Sequence, residues 1–93
     1  MDTLIADLHD RYLKSLEDKA AAMNEFAHDR NFKEATRIGH QMKGSGASYG
    51  FPAVSDLGRR IEEAGTNHQG MTLDALVIEL KTLLARLRDQ QAV

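Results

Sequence analysis

One short run of the chain, His40-Gln41-Met42-Lys43-Gly44-Ser45-Gly46, gathers residue types that could carry covalent chemistry. Imidazole is largely neutral near pH 7 and is then nucleophilic through one ring nitrogen. At helical spacing Arg37 and Lys43 are surface neighbours of His40, three residues before and after it, and Lys33 shares that face two turns back. From Arg30 to Lys43 the chain sets Arg30, Lys33, Arg37 and Lys43 against Glu34 alone. That local excess contrasts with the whole chain, where 12 Lys and Arg face 14 Asp and Glu for a net charge of -2. Positive surroundings disfavour a protonated imidazole and attract an anion. The chemistry this suits is a neutral histidine nucleophile that takes up a phosphoryl group.

Glycines sharpen the reading. Gly39, Gly44 and Gly46 fall inside a good helical pattern, and each costs about 1 kcal/mol relative to alanine in a helix interior. With about 100° between successive residues, Ala35, Ile38, Gly39, Met42, Gly46 and Tyr49 form one buried stripe. Gly39 and Gly46 lie in it, where close helix packing explains them. His40 lies about 150° from the centre of the stripe, on the solvent side, with Gly44 one turn on and Ala47 nearby also pointing outward. An outward glycine packs nothing of its own helix, so its use is to clear space beside His40. Taken alone His40 reads as a solvated surface histidine; Lys43, Gly44 and the downstream pattern reverse that.

The elements that must position this run are all helical. Only Pro52 interrupts the sequence, and no stretch alternates in the manner of a half-buried strand. A first segment, capped at Thr3, carries Leu4, Ile5, Leu8, Tyr12, Leu13 and Leu16, then Ala20, Met23, Phe26 and Ala27, to about His28. It is one long helix or two with a bend near Ser15 to Asp18. Asn31 with Glu34 resembles a capping box for a second helix over Phe32 to about Tyr49, closed by a left-handed Gly50. Pro52 opens a third helix, with Val54, Leu57, Ile61 and Ala64 inward, ending at Gly65. Thr72 caps a fourth, striped by Leu73, Leu76, Val77, Leu80, Leu83, Leu84 and Leu87, with Gln90 to Val93 fraying. Stripes of this kind are buried most economically in an antiparallel four-helix bundle, an all-α domain over residues 1–93.

Composition narrows the function. The chain has no cysteine, so disulfides, thiolate metal sites and thiol nucleophiles are excluded. No His pair sits four residues apart, so no metal site is expected. A net acidic chain with 5% aromatic residues does not suit a nucleic-acid binder. No apolar run approaches a membrane span, and Met1-Asp2-Thr3 carries no basic leader, so a cytoplasmic protein is expected. Lys43 precedes Gly44, the reverse of a phosphate-binding loop, and Ser45 and Ser48 lack a base. His9, His28 and His68 read as surface residues. The Leu stripe of the last helix reads as bundle core and not as a dimer seam, so a monomer is expected.

His40-x-x-Lys43-Gly44-Ser45, followed by Gly50-Phe51 and then Ile61-Glu62, resembles the histidine phosphotransfer (HPt) domains of two-component phosphorelays. The signature spans about Ile38 to Ala64. The resemblance implies that His40 is phosphorylated on Nε2, that Lys43 balances phosphate charge and that Gly44 lets a partner approach. It also implies that Glu62 hydrogen-bonds the imidazole Nδ1; the wheel sets Glu62 beside the apolar stripe and Glu63 toward solvent. Gly65 and Thr66 depart from the further polar residues that family members often carry there. The implied reaction is reversible phosphoryl transfer with receiver domains of response regulators, with a histidine kinase upstream. Arg37, Gln41, Gly44 and Ala47 then form the docking surface. The domain itself would need no cofactor, Mg²⁺ would belong to the receiver, and the protein would be a phosphocarrier with no kinase activity of its own. Two alternatives stand beside this: a helical interaction module that is never phosphorylated, and the excised substrate domain of a chemotaxis-type histidine kinase.

Overall fold

The computed structural model describes residues 3–91. Four helices follow one another: α1 Thr3–His28, α2 Phe32–Ser45, α3 Pro52–Thr66 and α4 Gly70–Gln91, with a 3₁₀ turn at Ala47–Tyr49 between α2 and α3. No strand occurs among the described residues. Short connections force consecutive helices antiparallel, so α2 lies against α3, α1 lies against α4, and α1–α2 and α3–α4 contacts close the bundle. Leu13, Leu16 and Met23 of α1 meet Met42 of α2, Val54 and Ile61 of α3, and Leu73 and Leu80 of α4 in the core. No charged or polar side chain is buried there among the described residues.

The first segment is one continuous helix and is not divided into two. The cap expected of Thr3 concerns a side chain outside the described part of the structure, as do Ala92 and Val93 of the expected frayed end; Gln90 and Gln91 are helical. Leu4, Ile5 and Leu8 of the first apolar stripe are 69%, 48% and 44% exposed; of Leu4, Ile5 and Leu13, the residues of this helix that could form surplus apolar surface, only Leu13 is buried. Their helix runs past the shorter α2, and the first buried residue of α1 is Tyr12.

Helix α2 stops at Ser45, four residues before the expected Tyr49. The cause lies in α3. A Cβ on Gly46 would stand 2.5 Å from the Ser55 backbone nitrogen and 2.9 Å from the Phe51 carbonyl, so the chain must turn where α3 begins. Ser55 Oγ accepts the Ala47 N–H at 2.8 Å, and the Gly46 carbonyl takes N–H groups from both Tyr49 and Phe51, at 3.2 and 2.8 Å. Gly50, at φ 87°, completes the turn in the left-handed region that its missing side chain permits. Tyr49 is thereby swung out of the stripe and left 41% exposed.

Pro52 opens α3 as its spacing predicts, and the helix runs one residue past Gly65. Helix α4 begins at Gly70, so Thr72 lies inside its first turn and is not the cap; the Leu73 N–H already finds the Gln69 carbonyl at 2.9 Å.

Candidate functional site

Asn31 caps α2 as expected, its side chain accepting the Glu34 N–H at 3.3 Å. The reciprocal arm of the capping box is missing, because the Glu34 carboxylate pairs with Arg37 at 2.7 Å. From this start the helix carries Ala35, Ile38, Gly39 and Met42 inward and holds His40 outward, its side chain 68% exposed.

Across the α2–α3 contact, Glu62 reaches His40. Its Oε2 lies 2.8 Å from Nδ1, and its Oε1 lies 2.6 Å from Lys43 Nζ. One carboxylate therefore holds both an imidazole and an ammonium. The Lys43 hydrogen bond, ahead of the one from His40, keeps the Glu62 carboxyl below the usual glutamate range, against a smaller opposing effect of burial. An ionised carboxylate can only accept hydrogen bonds. A neutral His40 facing it carries its proton on Nδ1, and Nε2 presents a lone pair to solvent.

The helix spacing that permits this is set by glycines on both partners. A Cβ on Gly39 would stand 2.5 Å from the Glu62 backbone nitrogen and 2.8 Å from the Gly58 carbonyl. One on Gly58 would strike the Lys43 backbone nitrogen and lie 2.7 Å from Met42 Cβ. Gly44 is the opposite case, with nothing within 4 Å of the place a Cβ would take. Gln41 is exposed on α2, Ala47 is exposed but belongs to the 3₁₀ turn and not to the helix on which it was expected, and Arg37 is exposed but tied to Glu34.

The chain from residue 7 to residue 90 matches the family model described as Hpt domain. The chain belongs to the Hpt family. No curated protein and no solved structure shows significant similarity to it. Histidine phosphotransfer in phosphorelays is the activity this family membership implies, and its domains are phosphocarriers that work with histidine kinases and receiver domains.

In this Hpt domain the open cationic field expected around His40 is largely neutralised. Arg37 is held by Glu34 and Lys43 by Glu62, while Arg30 forms a two-pronged pair with Asp74 at 2.8 and 3.1 Å and also caps the Gly70 carbonyl. The Lys43–Glu62 pair escaped sequence reasoning because it needs the register of two helices, which no spacing within one helix reveals. The same holds for Tyr12, whose hydroxyl lies 2.7 Å from Ser45 Oγ and whose ring stacks on Tyr49 at 4.2 Å. Of the remaining histidines, His9 is half-buried with its ring 5.0 Å from Phe51, which corrects its reading as a surface residue. His68 is exposed yet stacks on Phe32 at 4.6 Å, and His28 is exposed. Among the described residues no three His, Asp or Glu side chains come together in a way that could hold a metal ion. No described helix is long and apolar enough to cross a membrane.

Proposed function

We propose that this domain accepts a phosphoryl group on His40 Nε2 from an aspartyl-phosphate receiver or a histidine kinase, and passes it to the aspartate of a response regulator. The observation that carries the reading is the Glu62 carboxylate 2.8 Å from Nδ1 of an imidazole whose other nitrogen faces solvent. Nε2 attacks phosphorus as the P–O bond to the partner's aspartate breaks, and that carboxylate leaves with the electron pair. The positive charge that develops on the ring is offset by Glu62, which keeps its hold on the Nδ1 proton. Lys43 spends one donor on Glu62 and, as an ammonium, has two more for phosphoryl oxygens. Such a transfer is mainly positioning and charge neutralisation, so the rest of the machinery comes with the partner. Mg²⁺ belongs to the receiver, and the exchange takes place in the cytoplasm with the domain as a monomer.

The partner must come within bonding distance of Nε2, and the surface leading away from His40 suits that approach. Gln41 and the bare Gly44 lie on α2, and the small Ala47 opens the 3₁₀ turn beyond it, next to a shallow concavity lined by Ile5, Leu8, Ser48 and Tyr49. The proposed docking surface is flanked by α1, through Leu4, Ile5 and Leu8, which the bundle leaves exposed.

Incubation with a phosphorylated receiver, followed by mass spectrometry, tests the reading. The expected product carries one acid-labile, base-stable phosphate on His40, and His40→Gln carries none while melting as the parent does. Phosphate that persists in His40→Gln overturns the assignment. A parent protein that binds receivers but is never labelled points instead to an interaction module.

A further inference from the structure

The His40–Glu62–Lys43 clasp lies where two glycines of facing helices leave no room for a Cβ. Gly39 is the chain neighbour of His40, and Gly58 lies one turn before Glu62 and packs on the backbone of Lys43. The Cβ positions denied to these two residues lie at 2.5–2.9 Å from atoms of the facing helix, the Gly58–Lys43 contact being closer still. Ordinary carbon contacts need about 3.5–4.0 Å. A methyl group at either position must open the crossing by about 1 Å, because most of the obstructing atoms are backbone and cannot swing aside. Glu62 has no such slack. Its two oxygens already span 2.8 Å to Nδ1 and 2.6 Å to Nζ, so a wider crossing breaks one hydrogen bond or both.

We propose that Gly39 and Gly58 are positioning residues for the phosphoacceptor: their backbone contact sets the helix separation at which the Glu62 carboxylate reaches His40 and Lys43 together and fixes the imidazole tautomer. This rests on the reading of His40 as phosphoacceptor and adds to it the determinant of its orientation. A displacement of this size in a positioned reacting group costs up to about 100-fold in rate. Gly65 supplies the internal comparison. It also faces α2, where a Cβ would meet the Thr36 hydroxyl first and the Thr36 backbone at 3.0 and 3.2 Å, but its contact is with neither clasp residue nor the neighbour of one.

The test combines imidazole ¹⁵N NMR of the unphosphorylated protein with the rate of labelling by a phosphorylated receiver. Gly39→Ala and Gly58→Ala are expected to lower the fraction of His40 with its proton on Nδ1 and to slow labelling about tenfold or more. Gly65→Ala is expected to lower the melting temperature while tautomer and rate stay at parent values. Glu62→Asp, which withdraws the carboxylate with both glycines in place, is expected to reproduce the tautomer and rate changes. Adding Gly58→Ala to Glu62→Asp should then slow labelling no further, since both act through one contact. Parent tautomer and rate in folded Gly39→Ala and Gly58→Ala overturn the proposal, as do fully additive effects in the double variant. Where the alanine variants do not fold, parent behaviour of Glu62→Asp overturns it, because the close spacing is then not needed. The NMR arm requires no phosphate, so a parent that is never labelled would defeat the functional reading while leaving the tautomer result to stand or fall separately.

Discussion

At the scale of single residues, the clasp makes Lys43 a partner of Glu62 before any phosphate arrives. Lys43 heads the causes that hold the Glu62 carboxyl below the usual glutamate range, with His40 contributing less. Lys43→Met should therefore raise the Glu62 pKa toward the ordinary value of about 4.3. A ¹³C titration of the Glu62 carboxyl reads this directly, and an unchanged titration would mean that the ion pair is not maintained in solution. The sign matters for function, because a protonated carboxyl no longer accepts as an anion and would release the hold on Nδ1. His40, Lys43 and Gly44 were legible in the sequence because they lie on one helix, where a wheel places them side by side. Glu62 was legible only through its flank position and the family signature. That one carboxylate binds both His40 and Lys43 was not legible, since the register of α3 on α2 depends on contacts between Gly39 and Gly58 far apart in the chain.

At the scale of the helix, α2 shows why glycines of one pattern do unlike work. Gly46 and Gly39 have no room for a Cβ, whereas Gly44 has open space around it. Gly44→Ala should thus stabilise the domain, by about 0.5–1 kcal/mol, since alanine recovers helix propensity with nothing to strike. A domain of this size should gain a few degrees in thermal melting. Gly44→Leu should also fold, but it places a branched side chain one turn from His40 on the proposed docking surface and should slow labelling by a phosphorylated receiver. Normal labelling of Gly44→Leu would remove Gly44 from that surface. The same helix shows where periodicity misleads. The stripe through Gly46 to Tyr49 continues on a wheel, yet the chain leaves the helix at Ser45 because Ser55 and Phe51 of the facing element crowd Gly46. Helix stripes report which residues want burial; they do not report where a neighbouring helix begins.

At the scale of the molecule, two unlike devices hold the helix pairs together. The α2–α3 pair is joined by backbone contact, while α1 and α4 are joined across their surfaces by Arg88, whose guanidinium hydrogen-bonds Asp10 and both oxygens of Glu17, the latter at 3.0 and 3.1 Å. Further exposed pairs, Arg60 with Glu79 and Arg30 with Asp74, fasten α3 and the α1–α2 loop to α4. Arg88 is the first cause of the lowered carboxyl pKa of both Asp10 and Glu17. A carboxyl whose folded pKa is depressed binds fewer protons folded than unfolded. Its stabilising effect is therefore complete above the ordinary carboxylate range and is lost as pH falls through the lowered values. Arg88→Met keeps much of the apolar stem and removes the charge, so it should melt a few degrees below the parent at about pH 7, the modest size being set by solvent screening of exposed groups. The gap should narrow steadily below about pH 4 as Asp10 and Glu17 protonate in the parent. Thermal melts of the two proteins across this range give the answer. A gap that persists unchanged in acid would mean that pairing with ionised Asp10 and Glu17 is not its source, and the ion pairs would then contribute nothing measurable to holding that half of the bundle closed.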